Sequence, residues 1–114
     1  MFKGLGGLGD MAKMMQAAQE MQAKVAELQD TLSRIVVMGE AGAGLVQVRA
    51  TAKGEVTGLT IDPSILMASE QDAVEDLILA AIKDAQGRAA IRSQQEMARL
   101  GQQMGLPADF KLPF

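Results

Sequence analysis

The stretch that decides the fold runs from Leu45 to Ile61 and reads LVQVRATAKGEVTGLTI. In its first half apolar and polar residues alternate, which is typical of a β-strand with one buried face. The apolar side chains on that face are Val46, Val48 and Ala50. Ala52–Lys53–Gly54 suits a short hairpin connection, after which the strand pattern resumes until Asp62–Pro63 ends it. The stretch therefore predicts an antiparallel hairpin with an apolar face that needs a cover.

A third strand precedes this hairpin. Residues 35–38, Ile-Val-Val-Met, are rich in β-branched residues, and the glycine-rich run 39–44 that follows suits a turn or a bulge. We expect one antiparallel sheet of three strands, which leaves one face to be covered by helices.

Upstream of the sheet, the sequence predicts a long helix from an Asp10 cap to about Ser33 or Arg34. A heptad frame with position a at Met11 finds an apolar residue at all eight a and d positions as far as Ile35. Such a seam packs against another helix, within the chain or across a dimer. The seam residues that we assign to helix packing or to dimer contacts are Met14, Met21, Val25, Leu28 and Leu32.

Downstream of the sheet, Ser69 is the predicted cap of a second long helix, with Asp72 at the third position of a capping-box-like arrangement. The predicted order of elements is α-β-β-β-α, an α+β fold. At 114 residues the chain is expected to form a single domain, 1–114. A flexible glycine-rich arm (1–9) and a C-terminal tail (105–114) complete this organisation.

The composition excludes several classes of chemistry. The chain contains no histidine and no cysteine, which removes histidine acid–base catalysis, Cys–His nucleophiles and His/Cys zinc sites. We therefore expect no enzyme and no small-molecule substrate. The uncharged segments fall far below the ~18 apolar residues of a membrane span, so we expect a cytoplasmic protein with no membrane partner.

Two patterns resemble ligand sites but lack the necessary context. Gly4, Gly6 and Gly9 spell G-x-G-x-x-G, but no strand precedes them, so the phosphate-binding turn of a dinucleotide fold is not formed. Carboxylates crowd residues 70–76, where the dipole of the second helix favours negative charge without any metal. We expect no cofactor and no metal.

The distribution of charge is more informative than the net charge of −3. Arg88, Arg92 and Arg99 are 4 and 7 residues apart and so share one helical face, and Lys13 and Lys24 share a face of the first helix. Such rows suit DNA phosphates, so these five residues are our candidate DNA contacts. The alternative is a solvated face, because Asp84 and Glu96 are spaced to pair with the arginines.

The chain as a whole resembles the YbaB/EbfC family of bacterial nucleoid-associated proteins. The segments that carry the resemblance are GEAGAGLVQV from Gly39, GEVTGLTIDP from Gly54 and VEDLILAAIKDA from Val74, together with the Met/Gln-rich first helix and the ending Leu112–Pro113–Phe114. Ala43 stands where the family often has glycine, and Thr51–Ala52 stand where it often has an Asn-Gly turn.

The resemblance implies a homodimer with projecting helices that binds double-stranded DNA with low or variable sequence specificity in the nucleoid, with effects on nucleoid organisation and gene expression. A small domain with an under-covered seam also favours a homodimer on physical grounds. The alternative is a homodimeric protein-interaction or chaperone-like module whose affinity for DNA is incidental.

Overall fold

A computed structural model describes residues 2–105, with side chains from Gly9 onward. The elements are α1 (Phe2–Arg34), β1 (Val36–Ala41), β2 (Val46–Thr51), β3 (Val56–Ile61) and α2 (Gln71–Gln103), and two short 3₁₀ turns join β3 to α2. The predicted α-β-β-β-α order is confirmed.

The sheet is antiparallel throughout, in the order β1-β2-β3. Its central strand pairs Val48 with Gly39 on one side and with Leu59 on the other. The three apolar side chains of β2 named above are fully buried, and they pack against Ala81 and Ala85 of α2. The face predicted from the alternation is therefore the face that α2 covers.

The close approach of α2 to the sheet depends on Gly39. A Cβ atom at this position would lie 2.3 Å from the backbone nitrogen of Ala85 and 2.6 Å from the carbonyl oxygen of Ala81. Only a residue without a side chain fits between strand and helix at this distance. The expectation that Gly39 begins a turn was therefore wrong: β1 continues to Ala41, because this glycine serves a helix–strand contact.

Hydrogen bonds to the carboxylate of Asp84, which we call the Asp84 latch, join the same two elements. The backbone N–H of Glu40 donates to Oδ2 of Asp84 at 3.0 Å, and Nε of Arg88 donates to the same oxygen at 3.2 Å. The hydrogen bond from Glu40 lowers the pKa of Asp84 below its ordinary value of 3.8, desolvation opposes this shift, and Arg88 adds to it. The carboxylate also occupies an outward N–H of an edge strand, which would otherwise be free to pair with another chain.

The core has two parts along an elongated molecule of 82 × 21 × 19 Å. One cluster lies between the sheet and the first half of α2, whereas the other joins α1 to the second half of α2 through Leu28, Leu32 and Leu100, with Ala52 beneath them. The radius of gyration is 21.7 Å, against about 13 Å for a compact domain of this length. The two helices therefore extend well beyond the sheet as a single arm.

The start of α1 departs from the prediction. The helix begins at Phe2, so Asp10 lies inside it and is not its cap, and residues 2–9 belong to the helix. The glycines in this segment weaken a helix by about 1 kcal/mol each but do not break it, and no proline interrupts it. The flexibility predicted for residues 1–9 stays a prediction, and the predicted tail lies outside the described residues beyond Gly105.

Ser69 is not the cap of α2, which begins at Gln71 with no side-chain hydrogen bond at its N-cap. Residues 68–70 form a 3₁₀ turn, in which the N–H groups of Glu70 and Gln71 donate to the carbonyl groups of Met67 and Ala68. Because this turn satisfies the first backbone donors, no capping side chain is needed there. None of the helices in residues 2–105 has the length and apolar character needed to cross a membrane.

Replacing Gly39 by alanine should destabilise the protein by about 3 kcal/mol, the upper end of the range for overpacking, because the atoms in its way belong to backbone. Gly87→Ala is the matched control, since this helical glycine has open space around its Cβ position. The control should gain about 0.5–1 kcal/mol. Chemical denaturation measures both, and a Gly39→Ala protein as stable as the parent would contradict the close contact.

The Asp84 latch should make stability depend on acid pH. Since the folded pKa lies below 3.8, the latch contributes its full stabilisation above this value and loses it as pH falls through the lower folded pKa. Thermal melts of the parent and of Asp84→Asn should be compared between pH 7 and pH 2. The difference between their melting temperatures should be constant near neutrality and should narrow below about pH 4. A difference in melting temperature that is independent of pH would exclude this role of the carboxylate.

Candidate functional site

The candidate site lies on the helical arm, which we define as residues 9–31 of α1 and 88–103 of α2. The arm carries five cations and five carboxylates, whereas residues 32–87 around the sheet carry four cations and eight carboxylates. The acidic excess of the chain is therefore concentrated at the sheet end. Averaged over each part, a polyanion therefore meets less repulsion along the arm, whose charges cancel, than at the sheet end.

The arginine row of α2 is present, but each of its guanidinium groups already has an anionic partner. Nε of Arg88 lies 3.2 Å from Oδ2 of Asp84, and Nε of Arg92 lies 3.1 Å from Oε1 of Glu96. Nη1 of Arg99 lies 3.5 Å from Oε2 of the same glutamate. The helical spacing that places the three arginines on one face of α2 also predicted these ion pairs, and the structure contains them.

Glu96 is the unusual member of this group. Its side chain is 8% exposed, whereas those of Arg92 and Arg99 are 45% and 66% exposed. A buried carboxylate is tolerated only when charge-assisted contacts replace its lost hydration. Arg92 donates a hydrogen bond to Oε1 of Glu96, and Arg99 adds an ion pair at Oε2. One glutamate thus holds two of the predicted DNA contacts, and the trio carries a net charge of +1.

The lysines of α1 are less constrained. Nζ of Lys24 lies 3.6 Å from Oε2 of Glu27, an exposed pair that contributes little to stability. Lys13 is exposed and forms no ion pair with residues of the described part of the chain. Its ammonium group is therefore available to an external anion.

The folding of α1 against α2 brings part of the two rows together. Lys24, Glu27, Glu96 and Arg99 line one shallow groove of about 230 Å³ between the helices. Lys13 lies eleven residues before Lys24, about 16 Å towards the start of α1. The predicted contacts thus form a discontinuous band along the arm.

The residues assigned to packing differ in their environment. Leu28 and Leu32 are buried against α2 and Ala52, and Met21 and Val25 are half-buried. Met14 is 70% exposed, and within the described residues no element covers it. The N-terminal part of the predicted seam therefore faces solvent in a single chain.

Sequence reasoning missed the burial of Glu96 and the latch role of Asp84. A signal existed for Glu96, because it lies seven residues after Ala89 and four before Leu100, on the buried stripe of α2. Asp84 is the residue before Ala85, which belongs to the same buried stripe. No local pattern could reveal that Asp84 accepts a hydrogen bond from Glu40, 44 residues earlier in the chain.

Comparison with known proteins agrees with this geometry. The sequence profile of the YbaB/EbfC DNA-binding family matches residues 7–104. Among solved structures, the uncharacterized protein HP0035 from Helicobacter pylori is similar in fold, with a TM-score of 0.58 and 20% identity over 69% of this chain and 92% of that chain. The profile match spans α1, the sheet and α2, and on this basis the chain belongs to the YbaB/EbfC family of DNA-binding, nucleoid-associated proteins.

Proposed function

We propose that this protein binds duplex DNA with low sequence specificity, through phosphate contacts made by its helical arm. The observation that carries the proposal is the arm itself, which projects from the sheet and bears the candidate cations, with Arg88 at its base beside Asp84. The proposed contacts are Lys13, Lys24, Arg88, Arg92 and Arg99. The proposed setting is the nucleoid, where such binding would influence nucleoid organisation and gene expression.

Low specificity follows from the kind of side chains on the arm. Sequence is read by groups that reach base edges, whereas lysine and arginine side chains in a discontinuous band reach the phosphates that every sequence shares. Ion pairs with carboxylates further weaken the contacts of Lys24, Arg88, Arg92 and Arg99. We therefore expect modest affinity, about micromolar near physiological salt, as for other non-specific binders.

We also propose that the protein acts as a homodimer. Apolar side chains stay exposed on the sheet face opposite α2, where Val36 and Met38 are 61% and 44% exposed. On the arm, Met11, Met14 and Met15 are at least 59% exposed. Patches of this kind in a small domain are typical of an interface, and a second copy would double the number of phosphate contacts.

The exposed methionines of the arm favour a second candidate function. Flexible, polarisable methionine side chains adapt to many apolar partners, as expected of a protein-interaction or chaperone-like module. A complex with a protein partner that survives nuclease treatment, together with a parent protein that does not bind DNA even at low salt, would support this candidate over the first.

The homodimer is tested by static light scattering at micromolar concentration. We expect a mass of twice the 12.0 kDa chain. Met38→Lys should shift the protein towards the monomer, because the substitution would bury an unpaired charge in a sheet-face interface. Leu79→Lys, on an exposed position of α2, is the control. A parent mass near 12 kDa would contradict the proposal.

The binding mode is tested by gel shifts over a range of salt concentrations. If four to six phosphates are neutralised, the slope of log affinity against log salt should be about −4 to −5. Lys13→Gln should weaken binding to unrelated duplexes alike and make the slope shallower by about 0.9 for each lost contact.

Lys83→Gln is the matched control for this experiment, because the exposed Lys83 lies on the part of α2 that covers the sheet. It removes the same charge outside the arm, about 7 Å along the helix from Arg88 at the base of the arm and about 24 Å from Arg99. Equal losses of affinity for the two variants would show that total charge matters and not the arm. A slope near zero would exclude phosphate-dominated binding.

A further inference from the structure

The Arg92–Glu96–Arg99 trio is more than a stabilising ion pair, because its anion is buried and its cations are not. Each arginine keeps guanidinium nitrogens in solvent while one of its nitrogens faces Glu96. Within residues 9–105 no buried side-chain polar atom lacks a hydrogen-bond partner, and both carboxylate oxygens of Glu96 have a guanidinium group beside them without any ligand. A phosphate that approaches these arginines must therefore compete with a carboxylate already in place.

We propose that Glu96 is an intramolecular competitor of DNA phosphate that restrains the affinity of the arm. This inference rests on the proposed function and concerns the regulation of the same site. Glu96 cancels one of the two positive charges that its neighbours would present. A DNA backbone that reaches this segment therefore meets a net charge of +1, whereas Arg92 and Arg99 alone would present +2.

The burial of Glu96 makes this competition effective. A carboxylate in water exchanges its partners freely and is screened over about 8 Å at physiological salt, whereas a buried one is screened much less. Leu28 and Leu100, which are buried and line the same groove, cover part of the surroundings of Glu96 with apolar side chains. Added salt therefore weakens the arginine–DNA contacts more than it weakens the arginine–Glu96 contacts.

The test compares two charge-neutralising substitutions in one helix. Glu96→Gln removes the competitor but keeps its size and its hydrogen-bond acceptor. Glu75→Gln is the matched control, because it changes the total charge equally at an exposed position about 31 Å away along α2. Both proteins are titrated with a duplex in gel shifts between 0.05 and 1 M salt, about the range over which such slopes are resolved.

We expect Glu96→Gln to bind DNA more tightly than the parent, by about eightfold at 0.1 M salt, with a slope steeper by about 0.9 and a gain that vanishes near 1 M. Glu75→Gln should bind like the parent. In a protein that also carries Arg92→Gln and Arg99→Gln, the gain from Glu96→Gln should disappear, because there are no cations left to release.

Circular dichroism melts accompany every variant. If Glu96→Gln weakens the arm, Glu96→Met fills the same volume without a polar group and should give the same gain in affinity. Glu96 variants that bind no tighter than Glu75→Gln, or a gain that persists without the two arginines, would overturn the proposal while leaving DNA binding intact. A parent that fails to bind DNA at any salt would overturn the proposed function and this inference with it.

Discussion

The contact between Gly39 of β1 and the backbone of α2 at Ala81 and Ala85 is the constraint on which the rest of the structure depends. Because strand and helix touch here without an intervening side chain, α2 lies closer to β1 than any residue with a Cβ atom at position 39 would allow. The Asp84 latch, one residue before Ala85, secures the same contact with a hydrogen bond to the neighbouring residue of β1. The second half of α2 is then carried past the edge of the sheet, where α1 joins it to form the arm.

The elements themselves could be predicted from local patterns, since β2 alternates strictly and α1 keeps an apolar seam over more than three heptads. Local patterns could not predict the structural role of Gly39 or the residue at which α2 begins. Gly39 was interpreted as a turn former because its non-local contact, 42 residues away at Ala81, leaves no trace in the neighbouring sequence. Ser69 has the chemistry of a cap, but backbone hydrogen bonds in the preceding 3₁₀ turn made that chemistry unnecessary.

Ala43 shows where a departure from the family pattern has a physical cost. It lies in the β1–β2 turn with φ of 56°, in the left-handed region that its neighbours Gly42 and Gly44 also occupy. Alanine costs about 1–2 kcal/mol in this region, whereas glycine does not. The turn therefore keeps the geometry that glycine would adopt, because the register of β1 and β2 on either side determines it.

For the candidate site, residue spacing predicted both the arginine row and its ion pairs. Spacing alone could not show which of these ion pairs contains a buried carboxylate, because that burial depends on how α1 lies against α2. Leu28 of α1 and Leu100 of α2 line the groove beside Glu96, whose side chain is only 8% exposed and therefore depends on its arginine partners. The same packing that joins α1 to α2 thus lowers the charge of the Arg92–Glu96–Arg99 trio to +1. In the binding mode proposed above, the stability of the arm and the restraint of its affinity for DNA would therefore have one structural origin.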